Sequence, residues 1–141
     1  DDLIIKKNCS KDMIKIHNKK NCSVMASMKV NKKTVNRWGI YSKKSIIDKN
    51  NFLIRDVVEK PDVRSAPSNN AIIGRYILPK KIFKKLKKQK KGKGGEIHIT
   101  DAIKSLINNG EKFIGHTFKG KYLDCGTMDG YIKSSLEISK L

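Results

Sequence analysis

Val57-Val58-Glu59-Lys60-Pro61 is an apolar strand that runs into an adjacent acid and base and is stopped by proline. Upstream, Phe52, Leu53, Ile54, Val57 and Val58 form a strand-length run rich in β-branched residues, interrupted by Arg55 and Asp56. Pro61 withdraws a backbone donor and pushes the residue before it toward extended geometry, so the strand should end there. A carboxylate at such an end can accept hydrogen bonds from sugar hydroxyls, and an ammonium can neutralise a phosphate as a mobile point charge. Taken alone, the pair is what a solvated strand end ordinarily looks like. Pleating also sends adjacent side chains to opposite faces, so Glu59 and Lys60 can converge on one ligand only if the strand twists or bulges there.

Outward from this stretch, the residues 45–48 and 52–59 are separated by Lys49-Asn50-Asn51, a hairpin with an asparagine turn. Trp38-Gly39-Ile40-Tyr41 opens a further strand, where the glycine marks either close approach to a ligand or a bulge. Alternation over 22–30 predicts a strand with one face inward, and 61–70 is a loop that delivers Asn69 and Asn70 to a strand over 71–78. Helices are predicted over 11–20 with Ser10 as N-cap, from Pro79 with Ile82, Phe83 and Leu86 as an apolar stripe, and from Thr100 or Asp101 to Gly110. Residues 113–118 and 122–123 read as strands, and Thr127 caps a last helix whose apolar face is Met128, Tyr131, Ile132 and Leu136. Asp1-Asp2-Leu3-Ile4 reads as the end of a buried strand followed by a turn. Strands alternating with helices, with hairpins between, give an α/β domain with a mixed sheet. Asp124, at a strand end and followed two residues later by Gly126, is placed either to hold a hard cation through oxygen or to cap the helix.

A chain of 141 residues is sized for one compact domain. Its formal charge of +19 points first to polyanions. The lysines are spread over every segment, however, and arginine is scarce (Arg37, Arg55, Arg64, Arg75), which is not how base-reading surfaces are built. Only 80–93 is a dense basic run. A nucleic-acid-binding module without catalysis would pair a basic stripe with stacking aromatics, whereas the aromatics here fall in apolar strand or helix patterns, so no specific nucleic acid is expected. Cys9, Cys22 and Cys125 are odd in number and irregular in spacing, which argues against a disulfide framework or structural zinc and for a reducing compartment. No apolar stretch approaches the ~20 residues of a membrane helix, so no membrane partner is expected.

Four ordered motifs accompany the Glu59-Lys60-Pro61 tripeptide: Trp38-Gly39-Ile40; Ala66-Pro67-Ser68-Asn69-Asn70-Ala71-Ile72-Ile73-Gly74-Arg75-Tyr76; Gly94-Gly95-Glu96-Ile97-His98-Ile99-Thr100-Asp101; and Tyr122-Leu123-Asp124-Cys125-Gly126-Thr127. In order and approximate spacing the chain resembles the sugar-phosphate nucleotidyltransferases, most closely those using UTP and glucose 1-phosphate. The resemblance implies a Rossmann-like nucleotide-diphospho-sugar transferase fold, with residues 1–141 forming the C-terminal, sugar-phosphate-binding part of a single domain. The family's N-terminal nucleotide-binding part, with its Gly-rich loop, has no match here. The implied reaction makes UDP-glucose and pyrophosphate; a thymidylyltransferase acting on the same sugar phosphate is the near neighbour. By the same resemblance Lys60 is the catalytic residue that holds the sugar phosphate, while Gly39, Glu59 and Asn69 orient the glucose. Asp1 and Asp124 would hold Mg2+, with Asp2 the alternative to Asp1. A homo-oligomer in the cytoplasm is the implied setting.

Overall fold

The structure, a computed structural model, describes residues 2–141; Asp1, the expected metal ligand, lies outside the described residues. The elements in chain order are β1 (Asp2–Ile5), α1 (Cys9–Lys20), β2 (Ser23–Lys29), β3 (Gly39–Ile46), β4 (Asn51–Glu59), β5 (Asn70–Ile77), α2 (Ile82–Lys88), α3 (Ile99–Asn108), β6 (Phe113–Thr117), β7 (Lys121–Asp124) and α4 (Met128–Ile138). Short 3₁₀ turns occupy Lys32–Arg37 and Lys93–Gly95.

The expected α/β architecture with a mixed sheet is present. Five strands lie in the order β2-β5-β3-β4-β6 and curl into a ring. Neighbours are antiparallel except β2 and β6, which run parallel, and β3 meets β5 at the single pair Ile40 and Ala71. The β1 and β7 strands form a separate antiparallel ladder. The stretch read as a strand end followed by a turn is β1, which pairs with β7 through Ile5 before the chain bends at Lys6, and its residues are part-buried or exposed rather than buried.

The two larger of three apolar clusters among the described residues cover the two faces of β2. Met25, Tyr41, Phe52, Val57 and Phe113 pack with Ala102, Ile103 and Leu106 of α3. Val24, Ala26 and Ile73 pack with Cys9 and Met13 of α1. The strand β2 is therefore covered on both faces, and Ser23 through Ser27 are all buried, rather than presenting one face to solvent as alternation suggested. Tyr41 is fully buried, stacks edge-on to Phe52 at 5.4 Å, and donates its hydroxyl to the Ala26 carbonyl at 2.8 Å, so its one polar group is satisfied. Gly115 faces this pair: a methyl there would come within 2.2 Å of the Phe52 ring. Burial of a side chain of this size contributes roughly 1.5–3 kcal/mol.

The helix starts differ from the sequence reading in ways that side chains explain. Helix α1 is capped by Asn8, whose Oδ1 accepts from the Lys11 amide at 2.9 Å, and not by Ser10, which lies inside the first turn. Helix α2 begins at Ile82 rather than Pro79, since Pro79 instead supplies the carbonyl that accepts from the Ile82 amide at 2.9 Å. In α3 the cap position belongs to His98, placing Thr100 and Asp101 within the first turn. For α4 the cap is Thr127 as expected, with Oγ1 accepting from the Gly130 amide at 3.1 Å. Its apolar residues Met128, Tyr131, Ile132 and Leu136 are nevertheless exposed. In the β3–β4 hairpin the organising group is Asp48: its carboxylate accepts from the amides of Asn50 and Asn51 and from Asn51 Nδ2, which holds it below the usual carboxylate range. The thiol of Cys9 is buried against Met13, with Sγ 3.7 Å from the methionine sulfur, and desolvation pushes its pKa up to about 11.

Candidate active site

At the end of β4 the chain leaves strand geometry at Lys60. Lys60 adopts φ +42°, the left-handed region that costs a non-glycine residue of order 1 kcal/mol or more. Its amide is fixed by donating to the Trp38 carbonyl at 3.0 Å, and Pro61 behind it is buried. The backbone thus breaks the pleat between the acid and the base.

Lys60 lines an open cleft of about 510 Å³ whose other walls are Asp2, Arg37, Trp38, Tyr122, Asp124, Gly126 and Thr127. Two elements bring the acids here. Asp2 opens β1 and Asp124 closes β7, and the antiparallel ladder makes them register partners. Cross-strand partners put their side chains on one face of a ladder. Asp2 is ion-paired to Arg75, with Oδ1 and Nη1 2.6 Å apart, while Arg75 Nη2 also donates to the Asp2 carbonyl at 3.1 Å. Asp124 accepts from the Gly126 amide through Oδ1 at 3.0 Å, and its carbonyl accepts from Ser134 Oγ at 3.1 Å. Gly130 permits that approach of α4, because a methyl there would sit 2.4 Å from the Asp124 carbonyl oxygen. The Tyr122 hydroxyl lies among these acids, and burial, the charges of Asp2 and Asp124 and a hydrogen bond to Asp2 raise its pKa well above the ordinary tyrosine value. Trp38 stacks edge-on to Tyr122 at 5.8 Å and closes one side.

The remaining expected residues lie outside this lining. Gly39 and Glu59 are register partners in β3 and β4, and a methyl on Gly39 would stand 3.2 Å from Glu59 Oε2 and 2.9 Å from Ile72 Cδ1. Glu59 Oε2 accepts a hydrogen bond from Thr100 Oγ1 at 2.7 Å. Asn69 is tied to Val30 twice, Nδ2 donating to the Val30 carbonyl at 3.0 Å and its own carbonyl accepting from the Val30 amide at 2.9 Å. As a test of fit for a hard divalent cation, the Asp124 carboxylate on the cleft wall is the right donor type, whereas Asp2 is already committed to a guanidinium.

The nucleotidyl transferase family matches residues 1–140. The chain belongs to the nucleotidyl transferase family. Among similar proteins, the UTP--glucose-1-phosphate uridylyltransferase of Pseudomonas aeruginosa is 44% identical over 123 residues, covering 87% of this chain and 43% of its own length. UTP--glucose-1-phosphate uridylyltransferase 2 of Streptococcus pyogenes is 37% identical over 131 residues, covering 93% of this chain and 44% of its own. A crystal structure of UDP-glucose pyrophosphorylase complexed with UDP-glucose matches with TM-score 0.91 and 38% identity, over 99% of this chain and 53% of that one. The UTP-bound enzyme from Acinetobacter baumannii matches with TM-score 0.79 and 29% identity, over 97% and 47%. The chain thus spans about half the length of the curated relatives it matches. The Rossmann-like nucleotidyltransferase fold implied by the sequence is the observed one.

Within this nucleotidyl transferase chain, sequence reasoning missed Arg37, Tyr122 and Thr127 as cleft walls, Arg75 as the partner of Asp2, and Thr100 as the partner of Glu59. All five lie in or beside the quoted motifs, which was the available signal. No helix among the described residues is long and apolar enough to cross a membrane.

Proposed function

We propose that this chain is the sugar-phosphate-binding, C-terminal part of the catalytic domain of an enzyme that makes UDP-glucose and pyrophosphate from UTP and glucose 1-phosphate. The observation that carries the reading is the left-handed turn at Lys60, which turns a cation into the same cleft as Asp124. The names of the relatives at 37–44% identity support it, as does the likeness to a pyrophosphorylase bound to UDP-glucose.

In this reading a phosphate oxygen of glucose 1-phosphate attacks the α-phosphorus of UTP. The new P–O bond forms as the bond from the α-phosphorus to the bridging oxygen breaks, and pyrophosphate leaves with that electron pair. Phosphoryl-type transfers need positioning and charge neutralisation more than covalent help. Lys60 holds the sugar phosphate by a charge-assisted contact, and Glu59, Gly39 and Asn69 orient the glucose hydroxyls. Asp124 and Asp1 would hold Mg2+; Asp2, the alternative, is disfavoured by its ion pair with Arg75 and serves better to set the charge of the cleft. When bound, the cation would neutralise charge developing on the phosphates. The uridine and triphosphate would be held by the half of the enzyme that the relatives carry beyond this match. The setting is a cytoplasmic homo-oligomer that takes UTP and glucose 1-phosphate as its partners and uses neither a membrane nor a specific nucleic acid.

The direct test is the complete enzyme with UTP, glucose 1-phosphate and Mg2+, scored by UDP-glucose and pyrophosphate in equal amounts. Turnover with dTTP but not UTP would move the enzyme to the thymidylyltransferases. No nucleotide sugar with either would overturn the proposal.

A further inference from the structure

The Gly94-Gly95-Glu96-x-x-x-Thr100-Asp101 string places a threonine where a helix cap was expected, but the cap position is His98 and the threonine hydroxyl donates to Glu59 instead. Thr100 is 5% exposed, and its Oγ1 lies 2.7 Å from Glu59 Oε2, a separation typical of a hydroxyl donating to an ionised carboxylate. Glu59 Oε2 also faces Gly39, where a methyl would stand 3.2 Å from it. One oxygen of Glu59 is therefore held between the first turn of α3 and the start of β3. The hydroxyl stands on a β-branched side chain whose χ1 is restricted, and on a helix packed by Ala102, Ile103 and Leu106 into the main apolar cluster. A rigid donor fixed to the core thus sets the rotamer of a half-buried carboxylate on a strand end. Ionised, that carboxylate keeps acceptor capacity beyond the one bond from Thr100.

We infer that Thr100 is a positioning residue that locks the Glu59 carboxylate, and through it decides how strictly the site distinguishes glucose 1-phosphate from its hydroxyl epimers. This rests on the reading of Glu59 as a group that orients the sugar. In this inference the effect of Thr100 passes through Glu59. A freely rotating carboxylate would still carry its charge but would pair with sugar hydroxyls in several geometries, weakening the fit to one epimer more than to another.

The test uses the complete enzyme with Thr100→Val, which keeps shape and removes the hydroxyl, Thr100→Ser, which restores the hydroxyl, and Glu59→Gln. Measured quantities are KM for glucose 1-phosphate, KM for UTP, the rate ratio of glucose 1-phosphate to galactose 1-phosphate, and the melting temperature. The expected result for Thr100→Val is a KM for glucose 1-phosphate raised about tenfold and a lowered epimer ratio, with KM for UTP unchanged. Thr100→Ser should return both to within about threefold of the parent. Should Thr100→Val not fold, Thr100→Ala replaces it in the same comparison. If Glu59→Gln impairs sugar use while Thr100→Val does not, the positioning role is overturned and the reading of Glu59 stands. If Glu59→Gln leaves sugar use untouched, the reading beneath it fails. A fall in melting temperature with both KM values raised alike, not rescued by serine, would assign Thr100 a purely structural part and overturn the inference.

Discussion

Asp2 and Asp124, from opposite ends of the chain, face each other as register partners across the β1–β7 ladder, and both line the cleft that holds Lys60. The acids differ in circumstance. Asp2 is ion-paired to Arg75 at 2.6 Å, while Asp124 is held by the Gly126 amide and faces the cleft. Arg75 therefore relieves the repulsion that two adjacent carboxylates would otherwise feel.

Removing the charge of Asp124 separates these roles. Asp124→Asn keeps an oxygen for the Gly126 amide, so the fold should persist, and magnesium-dependent turnover of the complete enzyme should fall by about a hundredfold or more. Circular dichroism and an assay at varied Mg2+ check this; near-normal turnover would remove Asp124 from the metal site.

Lys60 gives a prediction with two signs. Lys60→Ala should weaken use of glucose 1-phosphate by a charge-assisted contact of roughly 1.5–3 kcal/mol. Lys60→Gly should lose the same contact yet gain about 1 kcal/mol of stability, because glycine adopts φ +42° without strain. Steady-state kinetics and chemical denaturation on both variants distinguish the contact from the backbone; equal turnover for parent and variants would take Lys60 out of the site.

His116 should make the fold acid-sensitive. It is 7% exposed, with Nδ1 2.8 Å from Asn51 Oδ1, and burial lowers its pKa below the ordinary histidine value, against the opposing charges of Asp12 and Asp48. The unfolded chain then binds a proton more readily than the folded one. The stability this group contributes is whole above its unfolded pKa of about 6.5 and is lost as pH falls below it. Melting temperatures at pH 7.5 and pH 5 should drop more for the parent than for His116→Gln; identical drops would refute the assignment.

The charge of +19 makes a claim about polyanions. If the lysines are a solvated coat, binding to short RNA should be weak, indifferent to sequence and lost at physiological salt. Fluorescence anisotropy at two salt concentrations measures this, and tight sequence-dependent binding at physiological salt would favour a nucleic-acid module.

Much of this molecule could be read from its residues where a period or a turn residue dictates local structure. The β3–β4 hairpin, the 61–70 loop and the Thr127 cap are of that kind. The tension between Glu59 and Lys60 was also legible, since two neighbours in a pleat cannot share a face; the left-handed conformation of Lys60 was not, because nothing local favours it for lysine before proline. Burial of both faces of β2 escaped alternation because the Met25 face, opposite the one that meets α1, is covered by α3 and other strands from outside the window. Thr100 resembled a cap because capping is what threonine near a helix start ordinarily does, and its pairing with Glu59 depends on how β4 and α3 meet. Arg75 and Tyr122 gained their roles only when β5 and β7 came together around Asp2.

The buried Cys9 thiol turns the protein into its own stopwatch. Buried against Met13, with burial pushing its pKa up to about 11, it should react slowly with a thiol reagent while α1 stays docked on β2. The rate at which it is modified therefore counts openings of that helix from the sheet, and gives a direct reading of how long the α1 side of the core stays shut.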